Sequence, residues 1–207
     1  YWDDYSYPYH KNGAGNDEYR SAMTNQVAKR KDARAYNHNQ DSFTKENVAR
    51  WYDYWRERPG TGTRVSSGGV KIIFSDTNTH FRGAENYRRS GVTDPMRIPK
   101  DPFFAHQVMW DGWVDIENPR IHIVGHWNYN DTVVKPVYVV ANTEKVELFL
   151  NGESLGYGLR EYNFLYTFDK VAFKPGKLEA VGYDENGKET CRTALQTAGK
   201  PEQIKLS

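Results

Sequence analysis

The sequence is short of cysteine, of one-signed charge and of long apolar runs, and each shortage narrows what the chain can be. With Cys191 as its one cysteine it can form neither an internal disulfide nor a cysteine-built zinc site. Within a run of strand-forming residues, that thiol reads as a small buried hydrophobe. Lys plus Arg number 28 against 27 Asp plus Glu, so the attraction that draws proteins onto nucleic acid or anionic membranes is missing and neither partner is expected. No stretch approaches the ~20 apolar residues of a membrane-spanning helix. The opening Tyr1-Trp2-Asp3-Asp4-Tyr5 has neither the basic start nor the apolar centre of a signal peptide, so a soluble chain is expected. A start at Tyr instead of Met points to a processed chain or a fragment. No P-loop, G-x-G-x-x-G, G-x-S-x-G or H-E-x-x-H pattern occurs, which leaves common nucleotide, hydrolase-elbow and zincin chemistries unsupported and no cofactor expected.

What is present divides into two compositions. All six tryptophans lie between Trp2 and Trp127, and the stretch up to Trp113 is crowded with Tyr, Arg, Asn and Asp. The remainder reads as short runs rich in Val, Leu and Tyr, which places a boundary near residues 115–119. Residues 1–16, with Pro8 and Gly13-Ala14-Gly15, read as a loop. A helix is predicted from Asn16 or Asp17, with Tyr19, Met23, Gln26 and Val27 on one face and Lys29, Arg30 and Lys31 near its negative end. A second starts at Thr44, where Val48, Trp51, Tyr52 and Trp55 follow helical spacing and Glu46 precedes Arg50 by four; Pro59-Gly60 ends it. Residues 70–75, Val-Lys-Ile-Ile-Phe-Ser, read as one buried strand. Asp101-Pro102 predicts an N-cap and a first-turn proline for a short helix carrying Phe103, Phe104, Gln107, Val108 and Trp110, which Gly112 should stop.

From Ile121 the apolar period becomes two. Strands are predicted at 121–126, 136–141, 145–150, 154–158, 164–168, 178–183 and 188–197. Asn151-Gly152 and Asn186-Gly187 serve as hairpin signals, because Asn and Gly best tolerate the positive φ of a type I′ turn. Seven strands in about 80 residues is the density of an immunoglobulin-like sandwich, though the Cys and Trp pair of antibody domains is absent.

Candidate chemistry is sparse. Asp76, Asn78, His80 and Arg82 follow a buried strand, and in a parallel α/β barrel the C-terminal strand ends carry the active-site groups. The competing reading is plain turn chemistry, which is about as probable on these residues. His122 and His126 stand four apart, on one face of a strand, but zinc would need a third ligand and a structural role is favoured. Asp3 and Asp4 are adjacent, so in an extended chain they point apart. Trp2, Trp110, Trp113 and Trp127 offer flat apolar rings that could stack on sugar faces or fill a core.

Two stretches carry a resemblance. Residues 90–104, Ser-Gly-Val-Thr-Asp-Pro-Met-Arg-Ile-Pro-Lys-Asp-Pro-Phe-Phe, followed by Gln107 and Trp110, resemble the exit from the catalytic barrel of family 2 glycoside hydrolases of the β-galactosidase type. Residues 119–123 with His126-Trp127-Asn128, then 146–156, 175–183 and 197–201, resemble the immunoglobulin-like domain that follows that barrel. The resemblance implies the end of a (β/α)8 barrel over residues 1–115, an immunoglobulin-like sandwich over 116–198, and a linker or further domain from 199 to 207. It implies a retaining hydrolase of β-linked sugars, whose partners are an oligo- or polysaccharide substrate and the rest of the parent enzyme, working in the periplasm or outside the cell. Retaining glycosidases hold an acid/base Glu and a nucleophile Glu about 5 to 5.5 Å apart. The Asn-Glu pair that carries the acid/base is not found in the sequence, so no catalytic carboxylate is carried over and the pair is expected upstream. Asp76, Asn78 and His80 are the proposed sugar contacts, and no metal ligand is implied. A module of another class, binding carbohydrate through exposed tryptophans without catalysis, is the alternative.

Overall fold

The computed structural model describes residues 41, 44–45, 47–49, 51–52, 74–77, 91–115 and 117–199. The helix expected after residue 16, the strand residues 70–73 and the tail from 200 lie outside them. Described residues between 41 and 52 are helical, as the Val48, Trp51, Tyr52 spacing predicts, although the helix already includes Asp41. A longer helix, α1 (Asp101–Val114), leads into eight strands: β1 (Ile121–Ile123), β2 (Val134–Ala141), β3 (Lys145–Leu150), β4 (Glu153–Tyr157), β5 (Leu159–Glu161), β6 (Leu165–Ala172), β7 (Lys177–Tyr183) and β8 (Glu189–Gln196).

The strands form two antiparallel four-stranded sheets, ordered β1-β2-β6-β5 and β4-β3-β7-β8. Period two decides what lies between them. Val137, Val139 and Ala141 of β2 and Tyr166 and Phe168 of β6 face Val146, Leu148 and Leu150 of β3 and Leu178 and Ala180 of β7. Trp127 and Phe173 close one end of this core. Removing such side chains from water stabilises by about 1.5–3 kcal/mol each, which is what holds the two sheets face to face. Pro136 can donate no ladder hydrogen bond, and the register of β2 against β6 shifts between Lys135 and Val137, around it.

The expected sandwich is present with one strand more than its sequence announces. At Gly158 the chain leaves the second sheet, where β4 pairs with β3, and joins the first, where β5 pairs with β6. A Cβ at residue 158 would stand 2.8 Å from two atoms of the Phe168 ring, so this crossing requires glycine. Asn151-Gly152 is the expected two-residue turn, both residues at positive φ. The Asn186-Gly187 signal marks a different loop. Asp184 accepts from the Asn186 and Lys188 amides, and Gly187, but not Asn186, has positive φ.

The first sheet is apolar on both faces. On its outer side Val124, Val140, Phe164 and Leu165 pack with Ala105, Val108 and Met109 of α1 and with Val48 and Tyr52 of the upstream helix. Gly112, expected to stop α1, lies inside it: a Cβ there would stand 2.3 Å from the Phe164 ring, so the glycine allows close approach. The expected cap is also displaced. Lys100 is the N-cap and makes no side-chain cap bond, while Asp101 and Pro102 are the first helical residues.

Two outcomes are expected. Gly158→Ala should destabilise the chain by about 1–3 kcal/mol, the usual cost of overpacking, and urea unfolding should find a smaller cost in a Phe168→Leu background. Burial of the Tyr166 ring, whose hydroxyl donates to the Thr143 carbonyl, pushes its pKa up to about 12, and burial with the Glu147 hydrogen bond does the same at Tyr183. The folded chain therefore holds these protons more tightly than the unfolded one. Stability should be full below pH 10 and fall as pH rises towards about 12, less steeply in Tyr166→Phe, as urea midpoints across that range will report.

Candidate functional site

The three proposed sugar contacts begin at Asp76. Ser75 bridges in parallel to Thr93, and the Asp76 amide donates to the Thr93 carbonyl at 2.9 Å, so residues 74–77 lie beside the start of the segment that leads to α1. The two chains cross closely: a Cβ on Gly91 would be 2.4 Å from the Asp76 nitrogen. Both oxygens of the buried Asp76 carboxylate lie 3.0 Å from Lys100 Nζ, and Oδ1 also accepts from the Gly91 amide at 2.8 Å. Its acceptors are thus engaged by the protein. Asn78 and His80 lie outside the described residues.

The histidine pair does not converge. Strand β1 ends at Ile123, and Gly125, at φ +88°, turns the chain between the two rings. His122 Nε2 donates to Asp101 Oδ1 at 2.7 Å and its ring stacks on Phe104, whereas His126 stacks on Tyr129. The tryptophans separate as well. Trp127 is in the sandwich core, its indole N–H donating to the Lys174 carbonyl at 3.1 Å. Trp110 and Trp113 on α1 are 65% and 42% exposed, and Trp2 lies outside the described residues. Asp3 and Asp4 lie outside them too.

A second polar group sits where the upstream helix meets the sandwich. Lys135 Nζ lies 2.5 Å from Asp41 Oδ2, with side chains 2% and 7% exposed, and also donates to the Tyr129 hydroxyl at 2.7 Å. Gly125 makes room for this pair, because a Cβ there would stand 2.7 Å from Asp41 Oδ1. Arg120 binds Asp111 of α1 close by the other end of that helix. A lysine inside the run Val133-Val134-Lys135-Pro136-Val137 hints at a buried cation. Its acid, 94 residues earlier, has no local signal.

The arrangement holds helices against a sandwich. Among the described residues no helix is long and apolar enough to cross a membrane.

Comparison with known proteins agrees with this architecture. Residues 133–191 match a family model described as a domain of unknown function, DUF4982. The chain is 35% identical over 166 residues to a β-glucuronidase of Formosa agariphila, covering 79% of this chain and 16% of that protein. It is 30% identical over 118 residues to a β-galactosidase of Bacteroides ovatus, covering 56% and 13%. The solved structure of a β-glucuronidase from glycoside hydrolase family 2 superposes with a TM-score of 0.60 at 32% identity, covering 76% of this chain and 16% of that one. The chain therefore spans about one sixth or less of the length of these relatives.

The buried ion pair generates a test. Lys135→Met or Asp41→Asn, each breaking this buried ion pair, should cost roughly 3–5 kcal/mol, whereas the double replacement Lys135→Met with Asp41→Leu should recover part of that loss in thermal unfolding.

Proposed function

We propose, on the premise that this chain is related over most of its length to family 2 glycoside hydrolases, that it is the C-terminal region of a retaining hydrolase of β-linked sugars. In this reading residues 1–115 contribute the end of a (β/α)8 barrel, 116–198 form the sandwich that braces it, and 199–207 lead onward. The observation that carries the reading is α1. One side of this helix is buried on the sandwich, where the Trp113 ring also meets Phe164, while Trp110 and Val114 expose a second apolar side. A helix apolar on two sides belongs between two layers, and the second layer would be the barrel.

The catalytic Glu pair is supplied by residues outside this chain, and the substrate is a β-glucuronide or a β-galactoside, the sugars for which the relatives are named. Asp76 serves the site indirectly, because Lys100 and Gly91 occupy its carboxylate; Asn78 and His80, which follow it, would reach the sugar. The parent enzyme would work in the periplasm or outside the cell, as the family resemblance implies. The non-catalytic carbohydrate-binding reading retains Trp110 and Trp113 and loses Trp127, which is core.

The chain alone should give no turnover of p-nitrophenyl β-glucuronide or β-galactoside above background, and a longer polypeptide extended upstream should hydrolyse one of them. Enzyme-like turnover by the chain alone would sink the proposal. If the chain instead binds an oligosaccharide in titration calorimetry and Trp110→Ser with Trp113→Ser abolishes that binding, the second reading gains.

A further inference from the structure

Lys100 and Asp101 are neighbours in sequence, and their charged ends are held by different parts of the molecule. The Lys100 ammonium lies 3.0 Å from both oxygens of Asp76, in the segment at 74–77. The Asp101 carboxylate is held by the sandwich, accepting from His122 Nε2 at 2.7 Å through one oxygen and from the Gly125 amide at 3.0 Å through the other. Phe104, one turn along α1, stacks on the His122 ring with centroids 4.2 Å apart. Neither side chain caps the helix. An Asp at a helix start ordinarily satisfies local amides, and here that stabilisation is given up for two long-range contacts.

We propose that Lys100 and Asp101 form a two-residue link through which the sandwich holds the segment at 74–77, so that His122 is a positioning residue for Asp76. The chain of contacts is continuous: the β1 side chain His122 orients Asp101, Asp101 sets the first turn of α1, and Lys100 at its cap holds Asp76. The Lys100 amide donates to the Val92 carbonyl at 2.9 Å, so backbone as well as side chain ties this cap to the crossing at Gly91. Loss of the His122 contact frees the helix start to shift, and the ammonium shifts with it. The consequence for catalysis rests on the functional reading above, but the link itself is a property of the described residues.

The Gly91 amide, which donates to Asp76, reports on the link without any activity assay. In the full chain, site-resolved hydrogen exchange should find that His122→Leu accelerates exchange at Gly91 by about fivefold, the order expected for loss of one tertiary hydrogen bond. Amides of Leu148 and Ala180, in the other sheet, should keep wild-type rates. His122→Gln, which can still donate to Asp101, should stay near wild type, and Lys100→Met should accelerate Gly91 directly. An unchanged Gly91 rate in His122→Leu or in Lys100→Met overturns the proposal, as does equal acceleration at Leu148, which would mean general loosening. Failure of the glycosidase reading would leave these rates unaffected.

Discussion

The burial of one sheet on both faces is the constraint on which the rest of the structure depends. Most two-sheet sandwiches bury one face of each sheet and leave the other to water. Here β2 and β6 carry apolar groups outward as well as inward: Val140 and Leu165 point away from the core that Val139 and Tyr166 enter. Such a sheet cannot be left bare, and α1 with the helix around Val48 and Tyr52 covers it. The first sheet is therefore a middle layer, with the second sheet on one face and the helices on the other. Gly112 is in the helix for this reason, because the Phe164 ring occupies the space its side chain would need.

Apolar packing holds these layers together but specifies their register weakly, since one aliphatic contact can replace another at small cost. The ionic contacts at the seam are more selective. Lys135 and Asp41 are both withdrawn from water, and a helix displaced by a turn would break this ion pair. Net stabilisation from such a pair is small once desolvation is counted, so its effect is on which arrangement forms more than on how tightly it holds. The Asp101 contacts with His122 and Gly125, and Arg120 with Asp111, fix the two ends of α1 in the same way.

Under the proposed function, this geometry would give the chain the part of rigid support, with the chemistry supplied outside it. Retaining glycosidases need two carboxylates held at a fixed separation, and that demand falls on whatever frames the barrel. A sandwich tied by its outer face to helices, and through Lys100 to the segment at 74–77, suits the task of keeping such a frame from flexing. The relatives named for glucuronides and galactosides share this C-terminal part, as a support indifferent to the sugar would be.

Much of the sandwich was legible in sequence because its signals are local. Alternating burial in β3 and β7 follows from period two, and Asn151-Gly152 announces its turn because those residues tolerate positive φ. Strand β5 was not legible. It is three residues long, and the turn after it places Tyr162 and Asn163 at positive φ without a glycine; the Tyr162 ring is held against Tyr52 from another element. The candidate site was less legible still. Asp76 stands out after an apolar run, yet its partner Lys100 stands 24 residues later, and the cap expected of Asp101 was diverted to His122. By itself the sequence determined most of the strands, the tight turn and the apolar faces, since each depends on neighbours within a few residues. Which charge meets which, why Gly112 and Gly158 lack side chains, and which face of the sandwich is covered were decided by tertiary structure, because those partners are brought together only when distant segments pack.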